Sequence, residues 1–294
     1  MTTIGFVGLG RMGAPMAARL IAAGHALVVL DANEETQARF VATHGAKPAS
    51  RPRALAQESE VVITMLPTSA DVADVLYESS GLLAGLRSEA LVIEMSSGVP
   101  ARTQAFAAEV ARVSSDLIDA PVSGGVARAR TGELAIMVGG AAAVVACARP
   151  ILAAMGTSVL PTGTVGSAHA MKALNNLVSA AGFMISVEAL LIGKRFGLDP
   201  AVMVDVLNVS TGANNSTQKK LKPFVLSRSF DSGFGLDLMV KDLTIALGIA
   251  RDGGVATPLA AQVRELWAAA LASGAGPDHT DAARFSERLA GLEL

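Results

Sequence analysis

The sequence predicts an α/β domain built on a parallel sheet, followed by an all-α domain, with a long helix joining the two. Three observations lead there. Short β-rich runs alternate with helical segments through residue 163, the pattern of a parallel α/β fold. A glycine-rich turn, Gly8-Leu-Gly10-Arg-Met-Gly13, follows the first run and opens the first helical segment. After Pro161-Thr-Gly-Thr-Val-Gly166 no strand pattern returns.

The predicted strands, in order, are 4–8, Ala26–Leu30, 61–65, Leu91–Glu94, 117–120, 134–138 and 158–160. Helical stretches fall between most of them, at 14–23, Glu34–His44, 70–77, 101–113 and 141–155. The early strands are continuously apolar, as a sheet covered on both faces requires. A helical pattern then runs from Ser167 to Phe196, roughly 45 Å at 1.5 Å per residue. Gly197 supplies a stop, and Asp199-Pro200 supplies the cap and first residue of the next helix. Further helices are expected at 201–209, 238–252, 259–271 and 280–289. The domains are therefore drawn as 1–163 and 164–294.

Bulk properties exclude several function classes. The 294 residues carry a net charge of −2 and no basic run, which leaves electrostatic binding to nucleic acid without support. The single cysteine, Cys147, excludes an intrachain disulfide and a multi-cysteine metal site. Its apolar neighbours predict a buried, inert thiol. His25, His44, His169 and His279 are too far apart in sequence to suggest a metal site, and no metal is expected. The first apolar run starts at Ile4 with no charged stretch before it, so no targeting segment is visible. The most apolar stretch, 177–193, contains Glu188 and is short for a membrane span, which needs about 20 residues. The expectation is a buried helix in a cytoplasmic protein with no membrane partner.

The glycine motif carries chemistry. Gly8 permits the tight turn, Gly10 lets a pyrophosphate approach the backbone, and Gly13 lets the helix pack on the strand. The helix N-terminus offers free N–H groups to the phosphates. The first domain is thus read as a Rossmann-type dinucleotide-binding domain. Asp31 ends the second strand, 18 positions after Gly13, close to the spacing of the carboxylate that accepts from the adenosine ribose. No arginine adjoins it, so NAD is favoured over NADP. The competing role for Asp31 is a cap on the following helix.

Lys172 sits in Gly166-Ser-Ala-His-Ala-Met-Lys172-Ala-Leu-Asn175-Asn176. It shares a helical face with Asn176, and Asn175 lies close to that face. A lysine and carboxamides so clustered bind an oxygen and pass it a proton. His169 lies near the same face; helix packing is its favoured role, tuning of the lysine the alternative.

With these residues in place, the chain resembles the β-hydroxyacid dehydrogenases, over essentially its whole length and through four separated motifs. They are Gly8-Leu-Gly-Arg-Met-Gly13-Ala-Pro-Met16, Asp119-Ala-Pro-Val-Ser123-Gly124-Gly125, the segment from Gly166 through Lys172 to Asn176, and Lys241-Asp242-Leu243. The resemblance implies hydride transfer between NAD(P) and a small β-hydroxy acid or semialdehyde. It implies Lys172 as catalytic lysine with Asn176 as its partner. It implies Ser123, Gly124 and Gly125 as the loop that binds the substrate carboxylate, with Asn175 beside it. Gly8, Gly10, Arg11, Met12, Gly13 and Asp31 hold the dinucleotide on this reading. Leu66, Pro67 and Ser97 lie on its nicotinamide side, and Lys241 and Phe234 approach from the helical domain. Lys241 and Asp242 are expected to open a helix.

Two other readings compete. An imine reductase shares the architecture but typically lacks the lysine. A non-catalytic nucleotide-binding protein would have no need of Lys172, Asn176, Ser123 and Lys241 together. The polar run 210–217 is expected to face the cleft, which leans the substrate toward tartronate semialdehyde or a similar polar aldehyde acid. Arg128 and Arg130 are expected at the surface. Apolar surface on the long helix predicts a homodimer or homotetramer.

Overall fold

The computed structural model describes residues 2–294, which divide into two compact units between Lys172 and Ala173. The first unit is built on one sheet. Its strands are β1 (Thr3–Val7), β2 (Ala26–Leu30), β3 (Lys47–Pro48), β4 (Val61–Thr64), β5 (Leu91–Glu94), β6 (Asp116–Asp119), β7 (Val122–Ser123), β8 (Ala135–Gly139) and β9 (Ser158–Gly163). They run in the order β3-β2-β1-β4-β5-β6-β8-β7, with β9 beside β8. Neighbouring residues of a strand enter different cores. Phe6, Val29, Ile63 and Ile93 join the cluster on one face, and Val7, Val28, Val62 and Val92 the cluster on the other. That is why the strands read as continuous apolar runs.

The strand ends are level. Val7 pairs with Leu30 and Thr64, Thr64 with Glu94, and Glu94 with Asp119. The chain therefore leaves the sheet along one edge, at Gly8, Asp31, Met65, Met95 and Ala120. The winding direction reverses between β1 and β4, which makes this edge the place where ligands bind in open α/β sheets.

The sheet departs from the all-parallel expectation at one side. β8 runs antiparallel to β6 and β7, and only β9 restores a parallel pair. The short helix Gly125–Thr131 between β7 and β8 returns the chain without the dozen-residue crossover that a parallel pair needs. β3, β7 and the helices Pro52–Glu58 and Gly125–Thr131 were not predicted; each is too short to show a period.

The second unit is all helical. After the long helix Ser167–Phe196 come Pro200–Asn208, Asn215–Lys219, Leu236–Asp252, Pro258–Ala272 and Ala282–Ala290. A π-helical turn covers Leu221–Leu226. Phe183, Leu190, Leu236, Leu243 and Trp267 are completely buried in its core, and the Trp267 indole N–H donates to Ala180 O at 3.3 Å. The long helix is apolar enough to cross a membrane by length and composition, yet half of its apolar window is buried in the protein. Val178, Ile185, Ile192 and Phe196 remain 62–84% exposed along it.

Three expectations need correction. Cys147 is exposed, not buried. On the helix Ala142–Ala153 the inward positions are Val145, Ala148, Ile151 and Leu152, and Cys147 lies about 200° around from Val145. Lys241 and Asp242 do not open their helix; it starts at Leu236, because Gly235 is the cap. Residues 210–217 are partly helical, and Asn214 and Thr217 close a capping box on Asn215–Lys219. Asn214 also donates to Ser186 Oγ at 3.0 Å. The polarity of Asn214 and Thr217 is thus used locally, and these two residues lend no support to a polar substrate tail.

Candidate active site

The glycine loop has the geometry of a phosphate cradle. Gly8 has φ +96°, and a Cβ there would collide with Met65 O. A Cβ on Gly13 would collide with Gly8 O, whereas one on Gly10 would meet nothing within 4 Å. No side chain caps the helix Gly13–Ala22, and its first turn holds no acid. The residues present thus fit a dinucleotide: an open approach at Gly10 and helix N–H groups unclaimed by side chains. A cleft of about 430 Å³ beside the loop is lined by Gly10, Arg11, Ala14, Thr36, Arg39 and Arg130 among others, which suits an anionic guest. Arg130 is exposed, as expected, and so is Arg128, whose stem lies over Gly124. Gly13→Val is expected to weaken NADH binding more than tenfold, checked by fluorescence titration, because the helix must move off the strand.

Asp31 is half-buried at the end of β2. Its Oδ2 accepts the Leu9 N–H at 2.6 Å and its Oδ1 the Asn33 N–H at 2.8 Å. It does not cap the next helix; Asn33 does, accepting from Thr36 N. The carboxylate is thereby fixed against the glycine loop.

Leu66 is tied to the neighbouring loop, its N–H donating to Ser96 Oγ at 2.9 Å. Pro67 is exposed and Ser97 half-buried beyond these strand ends. Ser123 ends β7, and Gly124 and Gly125 follow with φ +131° and +70° in an exposed turn. A Cβ on Gly125 would meet nothing within 4 Å, so the backbone of this turn is open to an approaching ligand.

Lys172 is buried on the long helix, and Asn176, one turn on, is buried too. Asn176 Nδ2 donates to Asp242 Oδ2 at 2.6 Å, and its Oδ1 accepts from Asn175 Nδ2 at 3.2 Å. Asp242 in turn lies 3.4 Å from Lys241 Nζ. The carboxamide is locked in one orientation before any substrate arrives. Phe234 packs edge-on to His279, ring centroids 5.7 Å apart.

The sequence reading missed a buried charge cluster at the foot of this helix. Asp119, fully buried at the end of β6, accepts Gly166 N–H at 2.7 Å and His169 N–H at 2.9 Å. It acts as a helix cap from a remote strand. His169 is buried, as a packing residue would be, and it is also hydrogen-bonded on both ring nitrogens. Its Nε2 lies 2.7 Å from Glu94 Oε2 and 3.0 Å from Ser96 O. Its Nδ1 lies 2.8 Å from Thr103 Oγ1 and 3.9 Å from Asp119 Oδ2. Glu94 Oε1 accepts Ser96 N–H at 2.9 Å. Burial, the largest influence on both groups, disfavours their charged forms, but their mutual attraction and hydrogen bonds outweigh it. The His169 pKa is raised and the Glu94 pKa lowered. The sequence signal was present: a carboxylate closes each of the apolar strands β5 and β6.

The signs give a pH window. The stabilisation from His169 is complete below its unfolded value of 6.5 and is lost as pH rises through its raised folded value. That from Glu94 is complete above 4.5 and is lost as pH falls through its depressed value. The pair contributes most between pH 4.5 and 6.5. Urea midpoints across pH are expected to show this shoulder in the parent protein and to lose it in Glu94→Gln.

Residues 3–166 match the family model for the NAD binding domain of 6-phosphogluconate dehydrogenase, and 166–286 that for the NAD-binding of NADP-dependent 3-hydroxyisobutyrate dehydrogenase. The chain is 33% identical over 292 residues to 2-(hydroxymethyl)glutarate dehydrogenase of Eubacterium barkeri, covering 99% of this chain and 97% of that one. It is 37% identical to 3-sulfolactaldehyde reductase of Escherichia coli, covering 94% and 92%. The chain belongs to the β-hydroxyacid dehydrogenase family. A solved 3-hydroxyisobutyrate dehydrogenase of Mycobacterium tuberculosis with L-serine superposes with a TM-score of 0.90 at 32% identity, over 97% of this chain and 99% of that one. β-Hydroxyacid dehydrogenase membership fixes the reaction class: this is an NAD(P)-dependent oxidoreductase of small hydroxy acids.

Proposed function

We propose that the protein is an NAD-dependent dehydrogenase of a small β-hydroxy acid in which Lys172 handles the proton. The observation that carries this reading is the buried lysine one turn before a carboxamide locked by Asp242. The nicotinamide, when bound, supplies or takes up the hydride. Gly8, Gly10, Arg11, Met12 and Gly13 hold its dinucleotide phosphates, Asp31 the ribose hydroxyls, and Leu66, Pro67 and Ser97 the nicotinamide side, with Phe234 and Lys241 completing the cofactor contacts. Ser123, Gly124, Gly125 and Asn175 bind the substrate carboxylate. Lys172 stabilises the negative charge that develops on the substrate oxygen and donates a proton in reduction, or assists its removal in oxidation. Asn176 holds that oxygen through its amide.

Asp31 favours NAD, because a 2′-phosphate would face a fixed carboxylate. A like-charge contact of about 3 kcal/mol corresponds to a preference on the order of 100-fold in kcat/KM; Asp31→Ser is expected to narrow it. The experiment is absorbance at 340 nm with NAD and NADP against 3-hydroxyisobutyrate, glycerate, 3-hydroxypropionate and 2-(hydroxymethyl)glutarate. No turnover of any would favour a binding protein of the same fold. The exposed Val178, Ile185, Ile192 and Phe196 support a homodimer or tetramer, checked by light scattering. The localisation proposed is cytoplasmic.

A further inference from the structure

The buried cluster at the foot of the lysine helix has a job that stability alone does not explain. Burying a histidine and two carboxylates costs several kcal/mol per ion before pairing returns it, and apolar residues of similar volume would stabilise the site as well. The hydrogen-bond directions are informative. Thr103 Oγ1 lies between Val99 O at 3.2 Å and His169 Nδ1 at 2.8 Å, and its hydroxyl can accept from the ring while donating to the carbonyl. On the other side Nε2 faces the Glu94 carboxylate and the Ser96 carbonyl, both acceptors. Nε2 therefore donates, and Glu94 beside it, with Asp119 3.9 Å from Nδ1, favours the protonated ring. Gly98 makes room for it: a Cβ there would lie 3.0 Å from His169 Cε1.

The same bonds join three pieces of the site. Leu66 N–H reaches Ser96 Oγ, Ser96 N–H reaches Glu94, Glu94 reaches His169, and His169 lies three residues before Lys172. Asp119 fixes the helix end at Gly166 and His169.

We propose that Glu94, His169 and Thr103 are positioning residues, an ionic clasp that sets the depth and rotation of the Lys172 helix turn relative to the loops after β4 and β5. A free helix end would let the turn slide or rotate, and a misplacement of about 1 Å at a reacting group costs on the order of 100-fold. The clasp holds the turn at three points: a backbone N–H on Asp119, Nε2 on Glu94, and Nδ1 on Thr103. This rests on Lys172 as the proton-handling residue.

The test compares His169→Gln, Glu94→Gln, Thr103→Val and Thr103→Ser with the parent and with Lys172→Ala. The acid of the panel above with the highest kcat/KM serves as substrate. Active sites are counted by NADH binding, so loss of folded protein is not mistaken for loss of rate. The clasp predicts that kcat per site falls roughly 10- to 100-fold in His169→Gln and Glu94→Gln, with NADH Kd and substrate KM within threefold. It predicts that Thr103→Val loses rate and Thr103→Ser recovers it. The double variant Glu94→Gln/His169→Gln is no slower than the worse single one. Parental kcat per site in Thr103→Val and in whichever of the other variants fold, with only the melting temperature lowered, overturns the proposal. If Lys172→Ala retains its rate, the lysine reading fails instead, and the two failures are thereby told apart.

Discussion

Lys172→Ala is expected to lower kcat by about 10²- to 10⁴-fold, the usual contribution of a positioned acid or base. NADH affinity should stay within threefold, since the dinucleotide contacts assigned to the glycine loop and Asp31 lie elsewhere in the chain. Lys172→Arg should be nearly as slow as alanine. Arginine keeps the positive charge but does not give up its proton near neutral pH, and its planar fork does not fit a buried amine site. Steady-state rates at 340 nm with a parallel NADH titration decide it. A near-parental kcat in the alanine variant would remove Lys172 from the chemistry.

Asp119→Ala is expected to be the most destabilising single change in the sheet unit, by about 3–5 kcal/mol. Asp119 is completely buried and accepts two backbone N–H groups at the start of the long helix, with the His169 ring 3.9 Å away. Alanine leaves those donors without an acceptor and the His169 ring with one neighbouring carboxylate in place of two. Asp119→Asn keeps one acceptor oxygen but sets an amide N–H against a backbone donor, so it should fall between. Urea unfolding reads the effect as a lower midpoint at unchanged slope. A midpoint within the error of the parent for the alanine variant would show that the helix end is held by other contacts.

The two residues differ in how visible they were in the sequence. Lys172 and Asn176 were legible because helical periodicity alone puts them on one face. Gly8, Gly10 and Gly13 were legible because each meets a local steric demand, which the collisions at Gly8 and Gly13 and the open space at Gly10 bear out. Asp31 was found by spacing, but its hold on the Leu9 N–H joins two strands' ends and has no local signature. Glu94 and Asp119 stood in plain view as carboxylates ending apolar strands. Their partner His169 is 75 and 50 residues away in sequence, and no pattern of short period connects them. Asp242 was expected only to open a helix with Lys241, while its bond to Asn176 spans 66 positions.

The sequence by itself determined the alternation of strands and helices, the phosphate-binding turn and the lysine's helical face. Each follows from interactions between residues a few positions apart, through steric limits on the backbone and the 3.6-residue period. The tertiary structure decided the antiparallel edge of the sheet, the exposure of Cys147, the carboxylate surroundings of His169 and the anchoring of Asn176. These depend on which distant strand end or helix lies alongside, and on how much water the fold removes from a charge. Burial makes the pairing of Glu94 with His169 obligatory, and only the folded chain brings them within 2.7 Å.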